Sequence, residues 1–465
     1  MPASRPHIIY ILSDEHRGQA MSHMGDPNIR TPVMDRLAEE GASFERAYAN
    51  CPICTPSRGT IFSGRHAHAG PVSGFFDVYK ASAPSSATIL RENGYHTAYF
   101  GKWHCGVYRN QVPDHPEFVK ATPWPHRAPE NHRAGFQDWC GFEIMNNPFN
   151  SYYFKGSDTQ PTRMEGYQTD ALTNLAIEYI RNYDREEPLF LVLSVETPHF
   201  TLEAPEKFKR FDPARLQVRP NFGRPLDILP SPVASDAKLR ESLATYYAMI
   251  ENLDWNIGRM TEAIRGVAGF ENTLTVYFSD HGEYMGSHGL TCAKERPHEE
   301  SVRIPAIFQW PGQIPARGLI PGLFSLVDML PTTLGLANVP VPSHIQGANF
   351  APALLGKQFD GPRQVLLEMV NNPRWALQLQ DWRGLVTERW KYTFYETGQE
   401  LLYDLENDPY EIKNLAATNP AECEKQRRAL LTLLAQSREP YFDVLIEHGV
   451  TPEGPVVDID ALKRR

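Results

Sequence analysis

Cys54 stands in the stretch Cys51–Gly64, CPICTPSRGTIFSG, where a thiol is followed by Pro56, Ser57 and the guanidinium of Arg58. Thr55 suits the N-cap of a short helix, Pro56 its first position and Gly64 its end. Cys54 would then sit just before a helix N-terminus, facing unpaired backbone N–H groups and the positive end of the dipole. Arg58 adds a fixed cation about one turn on, so a small nucleophile here would face a site built for an anion. Two other readings use the same residues. Cys51 and Cys54 could form a thioredoxin-like redox pair, although that motif belongs to a small domain. They could also be half of a zinc site, although no second Cys pair or Cys/His pair completes one.

Four further polar clusters each follow an apolar run. Ile8–Leu12 leads into Asp14 and Glu15, His96–Phe100 into Lys102 and His104, Pro188–Val195 into His199, and Thr273–Phe278 into Asp280 and His281. Each run reads as a buried strand. In a doubly wound sheet the ligand site lies beyond the carboxyl ends of the strands, so the clusters should meet at one edge, beside Cys54. One such cluster alone would be a polar loop or a helix cap; four of four point to a site. Asp14, Glu15, Asp280 and His281 then fit a divalent metal. Carboxylate oxygens suit Ca²⁺ or Mg²⁺, whereas an imidazole shifts the balance toward Mn²⁺, Fe²⁺ or Zn²⁺.

The elements that must position these groups follow one pattern. Thr31-Pro32 opens a helix through Glu40, stopped by Gly41, and Ser85–Asn93 reads as a helix stopped by Gly94. Tyr167–Asn182 and a long segment from about Ser235 to Arg265 keep helical spacing, Ile304–Trp310 reads as a strand, and Ser325–Ala337 reads as a helix. Residues 107–165, rich in Pro, Asn, His and aromatics, read as long loops over the site. The fold class is α/β: a large domain over residues 1–360, with a mostly parallel central sheet sandwiched by helices. After residue 360 come short strands at Gln364–Met369, Trp382–Glu388, Lys391–Tyr395 and Glu400–Leu405, then a helix at Ala421–Ser437. They predict a smaller C-terminal α+β domain over residues 361–465 with an antiparallel sheet.

Cys54-Thr55-Pro56-Ser57-Arg58, followed by Ser63-Gly64, resembles the signature of the type I sulfatases, a branch of the alkaline phosphatase superfamily. Gly101-Lys102-Trp103-His104, Pro198-His199, Lys294 downstream of Asp280, and Leu402-Tyr403-Asp404-Leu405 are similar to further family segments, in the family's order. The resemblance implies that a formylglycine-generating enzyme oxidises Cys54 to formylglycine. It implies one divalent metal, Ca²⁺ or Mn²⁺, held by Asp14, Glu15, Asp280, His281 and the modified Cys54. It also implies an arylsulfatase-like hydrolase of aryl or similar small sulfate monoesters. In that mechanism Arg58 favours the ionised oxygen of the hydrated aldehyde, and Lys102, His199 and Lys294 bind the sulfate. Lys294 and His199 assist the departing alcohol, and His104 takes the proton that expels sulfate. The chain departs twice from the family, with Asp14-Glu15 where Asp-Asp is common and Asp280-His281 where Asp-Asn is common. Asp280-His281-Gly282-Glu283 is similar instead to phosphonate monoester hydrolases, so phosphonate monoester or phosphodiester hydrolysis, alone or alongside sulfatase activity, is the alternative. A binding protein with an unmodified Cys54 is a further reading, which the retained catalytic positions oppose.

A chain of 465 residues, 41% hydrophobic and 22% charged, can bury a large core. Its net charge of −10 gives no overall attraction to nucleic acid or to an anionic membrane, so neither is an expected partner. No apolar run is long enough for a membrane span or the core of a signal peptide. Six scattered cysteines and no Asn-x-Ser/Thr sequence make a reduced, cytoplasmic protein the default, with a periplasmic location and a homo-oligomer left open. Asp254 and Asp328 read as structural, and His66, His68, His288 and His298 are left unassigned.

Overall fold

Ile8, Ile9, Tyr10, Ile11 and Leu12 leave no polar face, and all are at most 1% exposed. A strand of this kind needs cover on both sides, and each such side chain contributes roughly 1.5–3 kcal/mol on burial. The computed structural model describes residues 5–75, 77–106, 127–226, 234–370, 381–437 and 441–448. Its strands are β1 (His7–Asp14), β2 (Ala42–Tyr48), β3 (His96–Lys102), β4 (Asp138–Phe142), β5 (Tyr152–Lys155), β6 (Thr162–Arg163), β7 (Leu189–Pro198) and β8 (Thr273–Ser279). They continue as β9 (Arg303–Ile304), β10 (Ala306–Gln309), β11 (Gly318–Ser325), β12 (Gln364–Met369), β13 (Trp382–Thr387), β14 (Trp390–Tyr395) and β15 (Glu400–Asp404). The helices are α1 (Pro32–Glu40), α2 (Cys54–Ser63), α3 (Ser86–Glu92), α4 (Gln168–Arg181), α5 (Asp236–Gly266), α6 (Glu299–Val302), α7 (Met329–Leu336), α8 (Ala351–Leu354), α9 (Pro420–Ser437) and α10 (Phe442–Glu447).

Among the described residues the large sheet runs β11-β2-β10-β8-β1-β7-β3-β4-β5-β6, with β9 paired to β2. Its centre, β8-β1-β7-β3-β4, is parallel throughout. Ile8, Tyr10 and Leu12 face α2, α3 and α7 through Ile61, Phe62, Leu90 and Leu330. Ile9 and Ile11 face α1, α4 and α5 through Leu37, Leu172, Ile177, Ile250 and Ile257. This is the expected mostly parallel sheet between two helical layers. No helix among the described residues is long and apolar enough to cross a membrane.

Several details depart from the expectations. Strands β2 and β11, which pair in parallel at one margin, were not anticipated. The stretch expected as loops contains β4, β5 and β6, which extend the opposite margin; its residues 107–126 lie outside the described ones. Ile304–Trp310 is two short strands, β9 and β10. The first turn of Ser325–Ala337 is a 3-10 turn, capped by the Asp328 carboxylate on the Ser325 N–H and hydroxyl.

The second sheet, β12-β13-β14-β15, is antiparallel. One face packs on α9 through Leu366, Leu385, Tyr392 and Leu402. The other meets Tyr48, Cys51 and Ile53 through Val365, Leu367, Trp382 and Tyr403, and so holds the segment that leads into α2. Glu368 of β12 completes the join: its carboxylate accepts the Ala67 N–H at 2.7 Å and lies 2.7 Å from His68 Nδ1. Burial opposes its charge, but His68, then His66 and Arg383, hold its pKa down to about 2. A carboxyl lowered on folding contributes stability above its unfolded pKa of 4.5 that is lost as the pH falls through 2. We therefore expect the urea midpoint of the wild type to fall between pH 5 and pH 3 more steeply than that of Glu368→Gln. Parallel slopes would refute the assignment.

Candidate active site

Strands β8, β1, β7 and β3 are neighbours in that order, so the polar residues at their carboxyl ends share one edge. Ser13 and Ser279 are in register, which places Asp14 and Asp280 side by side. Cys54 arrives from α2. The helix begins two residues earlier than expected: Ile53, extended at φ −152° and ψ 140°, is the N-cap, and its carbonyl accepts the Ser57 N–H at 3.1 Å. Thr55 therefore lies within the first turn, where its hydroxyl makes no hydrogen bond. Gly64 ends the helix as expected, at φ 64°. The Ser57 hydroxyl donates to the Asp280 carbonyl at 2.6 Å and ties this turn to the end of β8.

Asp14, Cys54, Asp280 and His281 each offer one donor atom, all within 4.8 Å of one another and all buried. Cys54 Sγ is 3.2 Å from His281 Nε2 and 3.7 Å from Asp14 Oδ1. His281 Nδ1 lies 3.0 Å from the Gly282 carbonyl, a contact that fixes the ring and leaves Nε2 for the cluster. Burial disfavours charge on His281, but the Asp280 carboxylate and the Cys54 sulfur outweigh it and raise its pKa to about 10. A divalent cation at this point would displace that proton. Two carboxylate oxygens, an imidazole nitrogen and the group at position 54 suit such an ion, so the residues present fit a metal.

Glu15, expected as a metal ligand, is not one of the four. Its backbone is left-handed, at φ 67°, and its carboxylate lies 2.5 Å from Lys294 Nζ and 3.7 Å from His199 Nε2. The turn sends the longer side chain away from Asp14, and Glu15 acts as the counter-ion of Lys294.

Cations surround the acids. Arg58, fully buried, donates from Nε to Asp280 Oδ2 at 3.0 Å and from Nη2 to Asp14 Oδ2 at 3.3 Å. Its Nη1 reaches the Lys102 carbonyl and Ser194 Oγ, both at 2.9 Å. Lys102 Nζ is 2.5 Å from Asp14 Oδ2. Burial works against the Asp14 charge, yet the cations Lys102 and Arg58 hold its carboxyl well below the usual range. Lys294 Nζ lies 3.4 Å from Cys54 Sγ and 3.1 Å from His199 Nε2. His199 Nδ1 contacts the Phe200 carbonyl. Burial, Lys294 and Lys102 push the His199 pKa well down, and burial, Lys102 and Arg58 do the same for His104. Both rings are therefore neutral at pH 7. His104 adopts φ 55°, and its buried Nδ1 has no hydrogen-bond partner.

The unassigned histidines lie elsewhere in the polar interior. His68 pairs with Glu368, His66 stacks on His68, and His298 joins Tyr284 and Tyr403 beside His288. Asp254 accepts the Val33 and Met34 N–H groups at the start of α1, a structural role, and Asp328 holds the turn described above. Two residues at the site had been given no role. Glu196, 3.9 Å from Lys102 Nζ, accepts the Met145 and Asn146 N–H groups. Glu283 accepts the Met285 and Ala293 N–H groups and so closes the loop that delivers Lys294. Both stand in the strand-end clusters already singled out, Glu196 three residues before His199 and Glu283 two after His281. Their polar neighbours there were the available signal.

Residues 6–339 match the family model described as sulfatase, and residues 286–439 match one described as N-sulphoglucosamine sulphohydrolase, C-terminal. An ulvan-active sulfatase from Formosa agariphila is 30% identical over 421 residues, spanning 89% of this chain and 77% of that protein. A Bacteroides fragilis structure described as a sulfatase superposes with a TM-score of 0.84 at 27% identity, over 95% of this chain and 98% of that one. The phosphonate monoester hydrolase of Agrobacterium radiobacter shares the fold, with a TM-score of 0.76 at 22% identity over 93% of this chain and 96% of that one. The chain belongs to the type I sulfatase family of the alkaline phosphatase superfamily and is a sulfuric ester hydrolase.

Proposed function

We propose that this chain hydrolyses sulfate monoesters through a nucleophile made from Cys54 by conversion to formylglycine. The observation that carries this reading is the position of Cys54 Sγ, where the metal-type donors and the cations meet: 3.2 Å from His281, 3.7 Å from Asp14 and 3.4 Å from Lys294. Cys51, by contrast, is buried among apolar side chains against the second sheet, and both thiols are free. That separation disfavours a redox pair. The hydrated aldehyde supplies an oxygen nucleophile that can be released by re-forming the carbonyl, and a divalent metal, Ca²⁺ or Mn²⁺, supplies fixed positive charge beside it. Asp14, Asp280 and His281 would hold that ion together with the group at position 54.

The chain's own residues then divide the work. Arg58 orients Asp14 and Asp280 and adds charge behind position 54. Lys102 and Lys294 draw the sulfate oxygens in and stabilise the charge that develops on them. His199, neutral at pH 7, hydrogen-bonds, while Lys294 delivers the proton to the departing alcohol. His104, neutral and with a free Nδ1, accepts the proton whose removal expels sulfate. Glu15 keeps Lys294 charged and aimed at Cys54.

The test is mass spectrometry of the tryptic peptide Ala47–Arg58 after alkylation, with Cys51 as internal control, on protein co-expressed with a formylglycine-generating enzyme. One alkyl group and the mass deficit of an aldehyde at position 54 are expected. Two alkyl groups would end the formylglycine reading. Phenyl sulfate assayed beside a phenyl phosphonate ester then separates the sulfatase from its alternative.

A further inference from the structure

We propose that Phe200 is a stacking platform for a flat ring in the alcohol half of the substrate. This specificity residue rests on the sulfate-ester reading above. An isolated exposed phenylalanine carries no message. Phe200 is different because of what its ring touches and how it is held. One face stacks on the His199 imidazole, with centroids 4.2 Å apart and planes at 26°. Lys294 Nζ lies 5.8 Å from the ring centroid and 3.4 Å from Cys54 Sγ, so one ammonium neighbours both the nucleophile position and this ring. The residue is nonetheless 36% exposed. His199 and Lys294 are buried, at 3% and 8% exposed, whereas Phe200 beside them keeps part of its surface in solvent.

The ring is also held in place. Its own carbonyl contacts His199 Nδ1, and the next residue, Thr201, donates from Oγ1 to the Asn146 carbonyl at 2.9 Å. Asn146 and Met145 are fastened in turn by the Glu196 carboxylate. A platform positioned before the ligand arrives loses little entropy on binding. Phe149, 43% exposed, rests edge-on against Tyr167 at 5.1 Å in the same 146–151 segment, so a second aromatic ring is exposed on that segment. The shared chemistry is an anionic head group attached directly to a ring with an apolar face, either an aryl ring or the C–H face of a sugar-like ring.

Benzenesulfonate and methanesulfonate carry the same head group, differ in the ring and need no turnover. Their dissociation constants would be measured by calorimetry on the wild type, Phe200→Ala and Phe200→Tyr. The wild type should favour benzenesulfonate by roughly 3- to 10-fold. Phe200→Ala should lose that preference while binding methanesulfonate unchanged, and Phe200→Tyr should keep it. Cyclohexanesulfonate identifies the ring class. Parity with benzenesulfonate supports a platform for a saturated, sugar-like ring, and weaker binding supports one for an aryl ring. A wild type without preference, or a preference that survives in Phe200→Ala, overturns the inference. Failure to cleave any sulfate ester, with the ring preference and its loss both observed, would instead refute the sulfate-ester reading and leave the platform standing.

Discussion

Cys54→Ser is expected to lower kcat/KM on an aryl sulfate by roughly 10⁴-fold or more, with little change in the urea midpoint. The side chain faces the site: its sulfur meets His281, Lys294 and Asp14, all within 3.7 Å. Serine nearly preserves the volume, keeps a donor for Asp14, and leaves the Ser57-to-Ile53 bond that starts α2 untouched. An enzyme that makes the aldehyde by oxidising the Cys54 thiol has no thiol to act on here, so with that enzyme the serine stays an alcohol and any oxygen it offers would remain esterified after sulfuryl transfer. Cys51→Ser is the matched control. Cys51 lies in the apolar layer between the α2 approach and the second sheet, so a hydroxyl there should cost stability and spare kcat. Full activity in Cys54→Ser, or selective loss of activity in Cys51→Ser, would overturn the assignment of the nucleophile.

Arg58→Met should be the most destabilising single change at the site, by about 3–5 kcal/mol at pH 7, with a loss of kcat of roughly 10³-fold. Arg58 has no exposed surface, and both of its acidic partners, Asp14 and Asp280, are equally buried. Methionine fills much of the space but leaves those carboxylates with less positive charge. The sign of the pH dependence follows from Asp14. In the wild type its pKa is held well below 3.8, against burial, by Lys102 and Arg58. That contribution is present above its unfolded pKa and lost as the pH falls. Without Arg58 the folded-state pKa rises, and the variant takes up a proton where the wild type does not. The difference between the two urea midpoints should therefore shrink from pH 7 to pH 4. Equal stability at pH 7, or a difference that widens in acid, would show that Arg58 is not a counter-charge of Asp14.

Much of the site was legible because its chemistry is local in sequence. Asp14, Lys102, His199 and Asp280 each stand at or just beyond the end of an apolar run, and a strand buried on both faces advertises itself by continuous Ile, Val, Leu and Phe. What escaped lacked such a run. In β2, ASFERAY, the exposed Glu45 interrupts the apolar pattern. β4, β5 and β6 are short and rich in polar or aromatic residues, and only pairing at the sheet margin makes strands of them.

The sequence by itself determined the α/β class, the family, and the set of side chains that reach one edge of the sheet. Those follow from residue type and spacing, which survive without coordinates. The tertiary structure decided which atoms face which. Glu15 and Asp14 are adjacent in the chain, yet the left-handed turn at Glu15 sends one carboxylate to Lys294 and leaves the other beside Cys54. Thr55 has the chemistry of an N-cap, yet Ile53 occupies that place, because the second sheet packs against Ile53 and the chain is already extended there. Both outcomes depend on backbone angles set by neighbours tens to hundreds of residues away.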